Sequence, residues 1–182
     1  MNRDELIALL EVPDPLRAAG LIASAPGGSV TYQRGDTPAK WLHDEVDESP
    51  IAVHRAAHLA GTPSVAVVQY GADVPAAQTV DRLIALAELA AETGMLRAVM
   101  PVPAEGNDER PGSWGVEDLV VIAIARFLLP ATTAVRPDWV HLGAAACQIA
   151  LAFGADDWQI PAGDSSDVEH LVAAVGRRAV PR

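Results

Sequence analysis

Ser64-Val65-Ala66-Val67-Val68-Gln69-Tyr70 is a short strand-like run, and the helical stretch after it decides the fold. Val80, Leu83, Ile84, Ala87 and Ala91 recur at helical spacing, while Gln78, Asp81, Arg82, Glu88 and Glu92 face outward. Asp73 stands where a cap is wanted, and Gly94 where the helix should stop. A second strand-like run, Leu96–Val102, comes next. Strand, helix, strand in this order is the signature of a parallel α/β unit.

The alternation extends both ways. Upstream, Leu21–Ala25 reads as a strand running into Gly27-Gly28, and Ser29–Gln33 is also extended, so this segment holds one strand or two. Downstream, Trp139–Leu142 and Asp157–Ile160 read as strands. Between them and Leu96–Val102 lies a helix that Ser113 would cap, with Glu117 and Asp118 in its first turn and Pro130 as its stop. From Leu119 to Leu129 it is apolar nearly all the way round, so it has to be covered on more than one side. Ser166 and Glu169 form a capping-box pattern for a last helix burying Val168, Leu171, Val172 and Val175. Gly35 to Pro50 reads as an acidic loop with one short helix around Ala39–Val46. Ala104 to Gly112 is a loop leaving the carboxyl end of a strand, where α/β proteins usually place ligand contacts.

With 182 residues, half of them apolar, the chain has the size and composition of a single domain, 1–182. Acidic residues outnumber basic ones by 24 to 13, and a net charge of −11 repels phosphodiester backbones, so no nucleic-acid partner is expected. Met1-Asn2-Arg3-Asp4-Glu5 is acidic where a signal peptide is basic, and the longest apolar run is broken by Arg126. No membrane span is expected, and a cytoplasmic protein is the default. The lone Cys147, inside Ala144-Ala145-Ala146-Cys147-Gln148-Ile149-Ala150-Leu151, reads as a small buried hydrophobe.

Several stretches, in order, carry a family resemblance. They are Leu16-Arg17-Ala18-Ala19-Gly20-Leu21 with Pro26-Gly27-Gly28, and His54-Arg55-Ala56-Ala57-His58-Leu59-Ala60-Gly61. Tyr70-Gly71, Glu88 to Gly94, and Gly115-Val116-Glu117-Asp118-Leu119 with Ile122 to Arg126 come after them. Trp139-Val140-His141-Leu142-Gly143, Phe153-Gly154-Ala155-Asp156-Asp157 and Val175-Gly176-Arg177-Arg178 complete the series. Together they resemble the distal half of the radical S-adenosylmethionine (SAM) enzymes of futalosine (menaquinone) biosynthesis, aminofutalosine synthase and cyclic dehypoxanthine futalosine synthase, with deazaflavin-cofactor synthases more distant. The chain departs from that pattern at three places. Ser29-Val30 stands where an acid comes after the Gly-rich strand, Ala72 where a His is usual, and Glu105-Gly106-Asn107-Asp108 where relatives read Pro-Glu-Asn.

The resemblance implies a partial (half) TIM-type (βα) barrel of four to five parallel strands over residues 16–182, preceded by an N-terminal helix or linker, 1–15. An open half-barrel has two exposed strand edges and an uncovered inner face, so a second copy or a complementing subunit is expected to cover them. The family binds its iron–sulfur cluster through CxxxCxxC, and one cysteine cannot replace three. The implied function is therefore a cluster-less module that binds a small-molecule ligand or a partner. The alternative is a substrate-binding subunit whose partner chain supplies the cluster and S-adenosylmethionine.

Tyr70, Asp73, Glu105, Asn107, Asp108, His141 and Asp164 fall at or beyond expected strand ends, the mouth of such a barrel. Asp156-Asp157 begins the last expected strand, and adjacent strand residues point to opposite faces, so one of the two can enter a pocket. His54 and His58 have a spacing that suits one metal, but with no third ligand near in sequence they read as structural or surface residues. Gly27-Gly28 reads as an ordinary turn.

Overall fold

The computed structural model describes residues 1–22, 28–36, 40–44, 48–106, 113 and 115–182. Its strands are β1 (Ser29–Arg34), β2 (Leu42–His43), β3 (Ser64–Tyr70), β4 (Leu96–Pro103), β5 (Ala134–Val135), β6 (Asp157–Ile160) and β7 (Arg178–Pro181). The helices are α1 (Arg3–Glu11), α2 (Pro15–Ala19), α3 (Ile51–Leu59), α4 (Ala76–Thr93), α5 (Val116–Leu128), α6 (Trp139–Ala150) and α7 (Val168–Ala173). The protein is α/β, with two parallel sheets ordered β2-β3-β4-β5 and β6-β1-β7. Strand β1 thus pairs with β6 and β7, near the other end of the sequence, not with the next strand along the chain.

The two sheets meet edge to edge. The Asp156 amide donates to the Val135 carbonyl at 3.1 Å, and the Val135 amide donates to Asp156 Oδ1 at 2.8 Å. Arg126, on α5, fastens the same seam from behind. Its guanidinium donates to the carbonyls of Leu129, Pro130 and Thr133 at 2.8, 2.7 and 3.0 Å and to Asp156 Oδ2 at 3.3 Å. Gly154 makes room for that arm. Its φ is +98°, and a Cβ there would lie 2.5 Å from Arg126 Cγ. Gly154→Ala is expected to cost about 2 kcal/mol in a urea melt, from left-handed strain and the clash together.

Helix α5 is covered on several sides within the chain. It packs against α1, α2, α4, α6 and the strands β4 and β5, and Val120 to Ala125 are all buried. The expectation that Leu119–Leu129 is covered on more than one side is met by these contacts within the chain. Residues Leu6, Leu9 and Leu10 of α1 belong to the same core. On β3, Ala66, Val68 and Tyr70 join that core. Val65 and Val67, on the opposite face by strand alternation, are equally buried with Ala98 of β4, so this face is not bare either.

Several elements differ from the sequence reading. Trp139–Leu142 is the start of α6, because Pro137 ends the extended segment and Asp138 caps a helix, accepting from the Val140 amide at 3.0 Å. The strand there is only Ala134–Val135. Helix α4 begins after Pro75, not at Asp73, since Gly71 (φ +76°) and Ala72 (φ +46°) turn the chain first. Its buried stripe is Thr79, Val80, Leu83, Leu86, Leu89 and Ala90, leaving Ala91 exposed, while Gly94 (φ +63°) ends it as expected. Asp167, not Ser166, caps α7, because Ser166 is held in a turn by Asp164 and Arg34, and Val175 is exposed. Leu42–His43 is a strand where a helix around Ala39–Val46 is expected, drawn in by the edge of β3; residues 37–39 and 45–47 of that stretch lie outside the described residues. Leu21 and Ile22 are not in a strand, and 23–27, with Gly27, lie outside the described residues. Strand β7 has no counterpart in the sequence reading.

Candidate functional site

The expected site residues divide between opposite ends of the parallel strands. At the carboxyl end, the Tyr70 hydroxyl donates to Asp118 Oδ1 at 2.7 Å, and Ser113 donates to the same oxygen. Tyr70 is fully buried, and burial, then Asp118, push its phenol well above the usual range. It ties β3 to the first turn of α5. Asp73 and Glu105 are exposed, and Asn107 and Asp108 lie outside the described residues. His141 sits on α6, not at a strand end, with Nδ1 against Asp138 Oδ2. Asp164, after β6, accepts from the Ser166 amide at 2.7 Å and from Trp139 Nε1 at 2.9 Å; bonds from Ser166 and Trp139 hold its carboxyl down at about 2.

Asp156 and Asp157 lie at the amino end, where β6 begins. Asp157 is fully buried and bonded at both oxygens. Oδ1 accepts from Thr31 Oγ1 at 2.6 Å and from Arg182 at 2.9 Å, and Oδ2 from Arg136 Nε at 2.6 Å. Arg136, 2% exposed, also donates to Gln159 Oε1 at 2.6 Å. Register explains the cluster: Thr31 pairs with Asp157 and Gln33 with Gln159, so their side chains share one face of the sheet. Asp156 closes the sheet seam with Arg126, and burial raises its carboxyl pKa. Arg136 and Arg182 escape the sequence reading. A charge beside Pro137 hints at something special, but its acid partner is 21 residues away and only strand register finds it.

His54 and His58 are both buried on α3 and turn to different partners. His54 Nε2 meets Asp44 Oδ2 at 3.1 Å, while His58 bonds Ser64 Oγ and Thr93 Oγ1, each at 2.8 Å. Both are buried rather than at the surface, and among the described residues no group of three or more His, Cys, Asp or Glu side chains could hold a metal ion. Cys147 is fully buried, as expected, and burial, then Asp138 and Asp118, push its thiol up to about 12.

A cavity of about 880 Å³ opens at the amino end. Ser29 and Thr31 of β1, Trp41, Arg97 of β4, Arg126, Asp156 and Arg182 contribute to its wall.

No family model matches the chain. Curated relatives do. The 5-amino-6-(D-ribitylamino)uracil--L-tyrosine 4-hydroxyphenyl transferase of Archaeoglobus fulgidus is 32% identical over 113 residues, 59% of this chain and 33% of that protein. The transferase of the same name from Methanoculleus marisnigri is 29% identical over 160 residues, 83% of this chain and 43% of that protein. Aminodeoxyfutalosine synthase of Thermus thermophilus is 26% identical over 181 residues, 94% of this chain and 47% of that protein. The chain spans less than half the length of each. These matches give it a coarse, radical-SAM-like relationship that does not single out the futalosine enzymes. Among the described residues no helix is long and apolar enough to cross a membrane.

Proposed function

We propose that this chain is a radical-SAM-like α/β module that binds a small molecule and carries no cluster of its own. The observation behind this reading is the state of its single thiol. The cluster implied by the resemblance needs three convergent thiolates, and Cys147 is one, sealed in the core and protonated at any ordinary pH. The residues present do not fit that group. A link to futalosine metabolism is part of the proposal, supported by the match to aminodeoxyfutalosine synthase over 94% of the chain. The hydroxyphenyl transferases match at higher identity over a shorter stretch, so their ligands compete for the role. Tyr70, Asp73, Glu105, Asn107, Asp108, His141, Asp156 and Asp157 remain the candidate ligand residues.

Pairing of β1 with β6 and β7 places an early strand inside the sheet, while β2 and β7 each have only one strand neighbour among the described residues, edges that a second copy or a complementing half could extend. In the second reading, a CxxxCxxC chain supplies the cluster and S-adenosylmethionine, and the relatives' greater length speaks for it. A homodimer is the other assembly proposed.

Anaerobic reconstitution with iron and sulfide tests the reading. The chain alone should bind no cluster and leave S-adenosylmethionine intact, and Cys147 should react with a thiol reagent at pH 8 only as fast as the protein unfolds. About four irons per chain together with formation of 5′-deoxyadenosine would overturn it. Co-purification with a CxxxCxxC chain that restores cleavage would favour the split enzyme.

A further inference from the structure

We infer that the cavity at the amino ends of β1, β4 and β5 binds a phosphate-bearing small molecule of about nucleotide size. This deepens the ligand-binding reading above and rests on it. The site lies at the opposite end of the strands from Tyr70 and Glu105.

Charge is the main argument. The chain as a whole carries −11, yet here four guanidiniums, Arg97, Arg126, Arg136 and Arg182, gather around two carboxylates, Asp156 and Asp157. Both carboxylates are already engaged. Asp156 takes the Val135 amide and Arg126, and Asp157 takes Thr31, Arg136 and Arg182. Arg126 and Arg136 are likewise consumed by carbonyls and side chains of the seam. Arg97 makes no hydrogen bond or ion pair to another described residue, and Arg182 shares one nitrogen between Asp157 and Thr31. Burial disfavours the charge on Arg182; Asp157 and Asp156 oppose this, while Arg136 and Arg97 add to it. Crowded, partly desolvated cations of this kind are relieved by an anion.

Shape and chemistry narrow the class. Guanidinium forks match phosphate oxygens bidentately. Ser29 and Thr132, also in the wall, add hydroxyl donors, and Trp41 offers a flat aromatic surface to a ring. A volume of about 880 Å³ exceeds what a bare phosphate needs and falls within the span of small-molecule sites.

Isothermal titration of the whole chain with AMP, pyrophosphate, adenosine and citrate tests this. AMP and pyrophosphate should bind saturably, adenosine should not, and citrate should bind more weakly than either. Arg97 is exposed, so Arg97→Gln should leave the melting temperature unchanged while weakening AMP about tenfold, the scale of one charge-assisted hydrogen bond. Arg97→Lys should recover part of the loss. The inference is overturned if no phosphate compound binds saturably, if Arg97→Gln changes nothing, or if citrate binds more tightly than AMP and pyrophosphate. None of these outcomes bears on the cluster reconstitution, so the two readings fail separately.

Discussion

Asp157→Ala should destabilise this protein by about 3–5 kcal/mol, lowering the melting temperature by roughly 10 °C. The carboxylate is fully buried and accepts from Thr31, Arg136 and Arg182. Removing it leaves the Arg136 guanidinium, 2% exposed, with only Gln159 as a side-chain partner among the described residues. An uncompensated buried charge costs far more than the pair contributes, so the double variant Asp157→Leu with Arg136→Met should regain most of the loss. Urea melts of the single and double variants measure both. A single variant within about 1 kcal/mol of the parent would show that the carboxylate is not holding the seam. Asp157 would then be free for the ligand role that its place in the sequence suggests.

Trp158→Ala should cost a similar amount, about 3–5 kcal/mol. Trp158 is the largest fully buried side chain among the described residues, and its ring meets Trp139 edge-on at 5.2 Å and 63°. Trp139 in turn donates to Asp164, so the cavity left by alanine would loosen the loop after β6 as well as the core. Trp158→Phe should cost only about 1 kcal/mol, because the indole N–H has no hydrogen-bond partner among the described residues and its loss offsets part of the lost packing. Circular dichroism in urea separates the two variants. Phenylalanine as damaging as alanine would show that the indole nitrogen has a polar role after all.

Short-range pattern reached a good part of this fold. Ser64–Tyr70 and Asp157–Ile160 are strands over the expected residues, and Leu96–Val102 gains only Pro103. Gly94 ends α4 where expected, since a left-handed cap is a local demand. Pattern misled where a cap overrode it. Trp-Val-His-Leu is as apolar as a strand, yet Asp138 after Pro137 starts a helix there. Strands β2 and β5, two residues each, carry no readable period and exist because a neighbouring edge accepts them.

The candidate site was less legible. Alternation along a strand separates Asp156 from Asp157, but it does not say which arginine each will meet. Those partners, Arg126 and Arg136, come from the ends of other elements and depend on strand register and on how the two sheets join. The sequence by itself determined the parallel α/β class, the lack of a second thiol, and that Leu119–Leu129 must be covered, because composition and period are local properties. Only the tertiary structure decided that α1, α2, α4 and α6 cover that helix, that β1 closes against β6 and β7, and that four arginines converge at one end of the strands. Such pairings join residues far apart in the chain, and their energies depend on distances that no local pattern encodes.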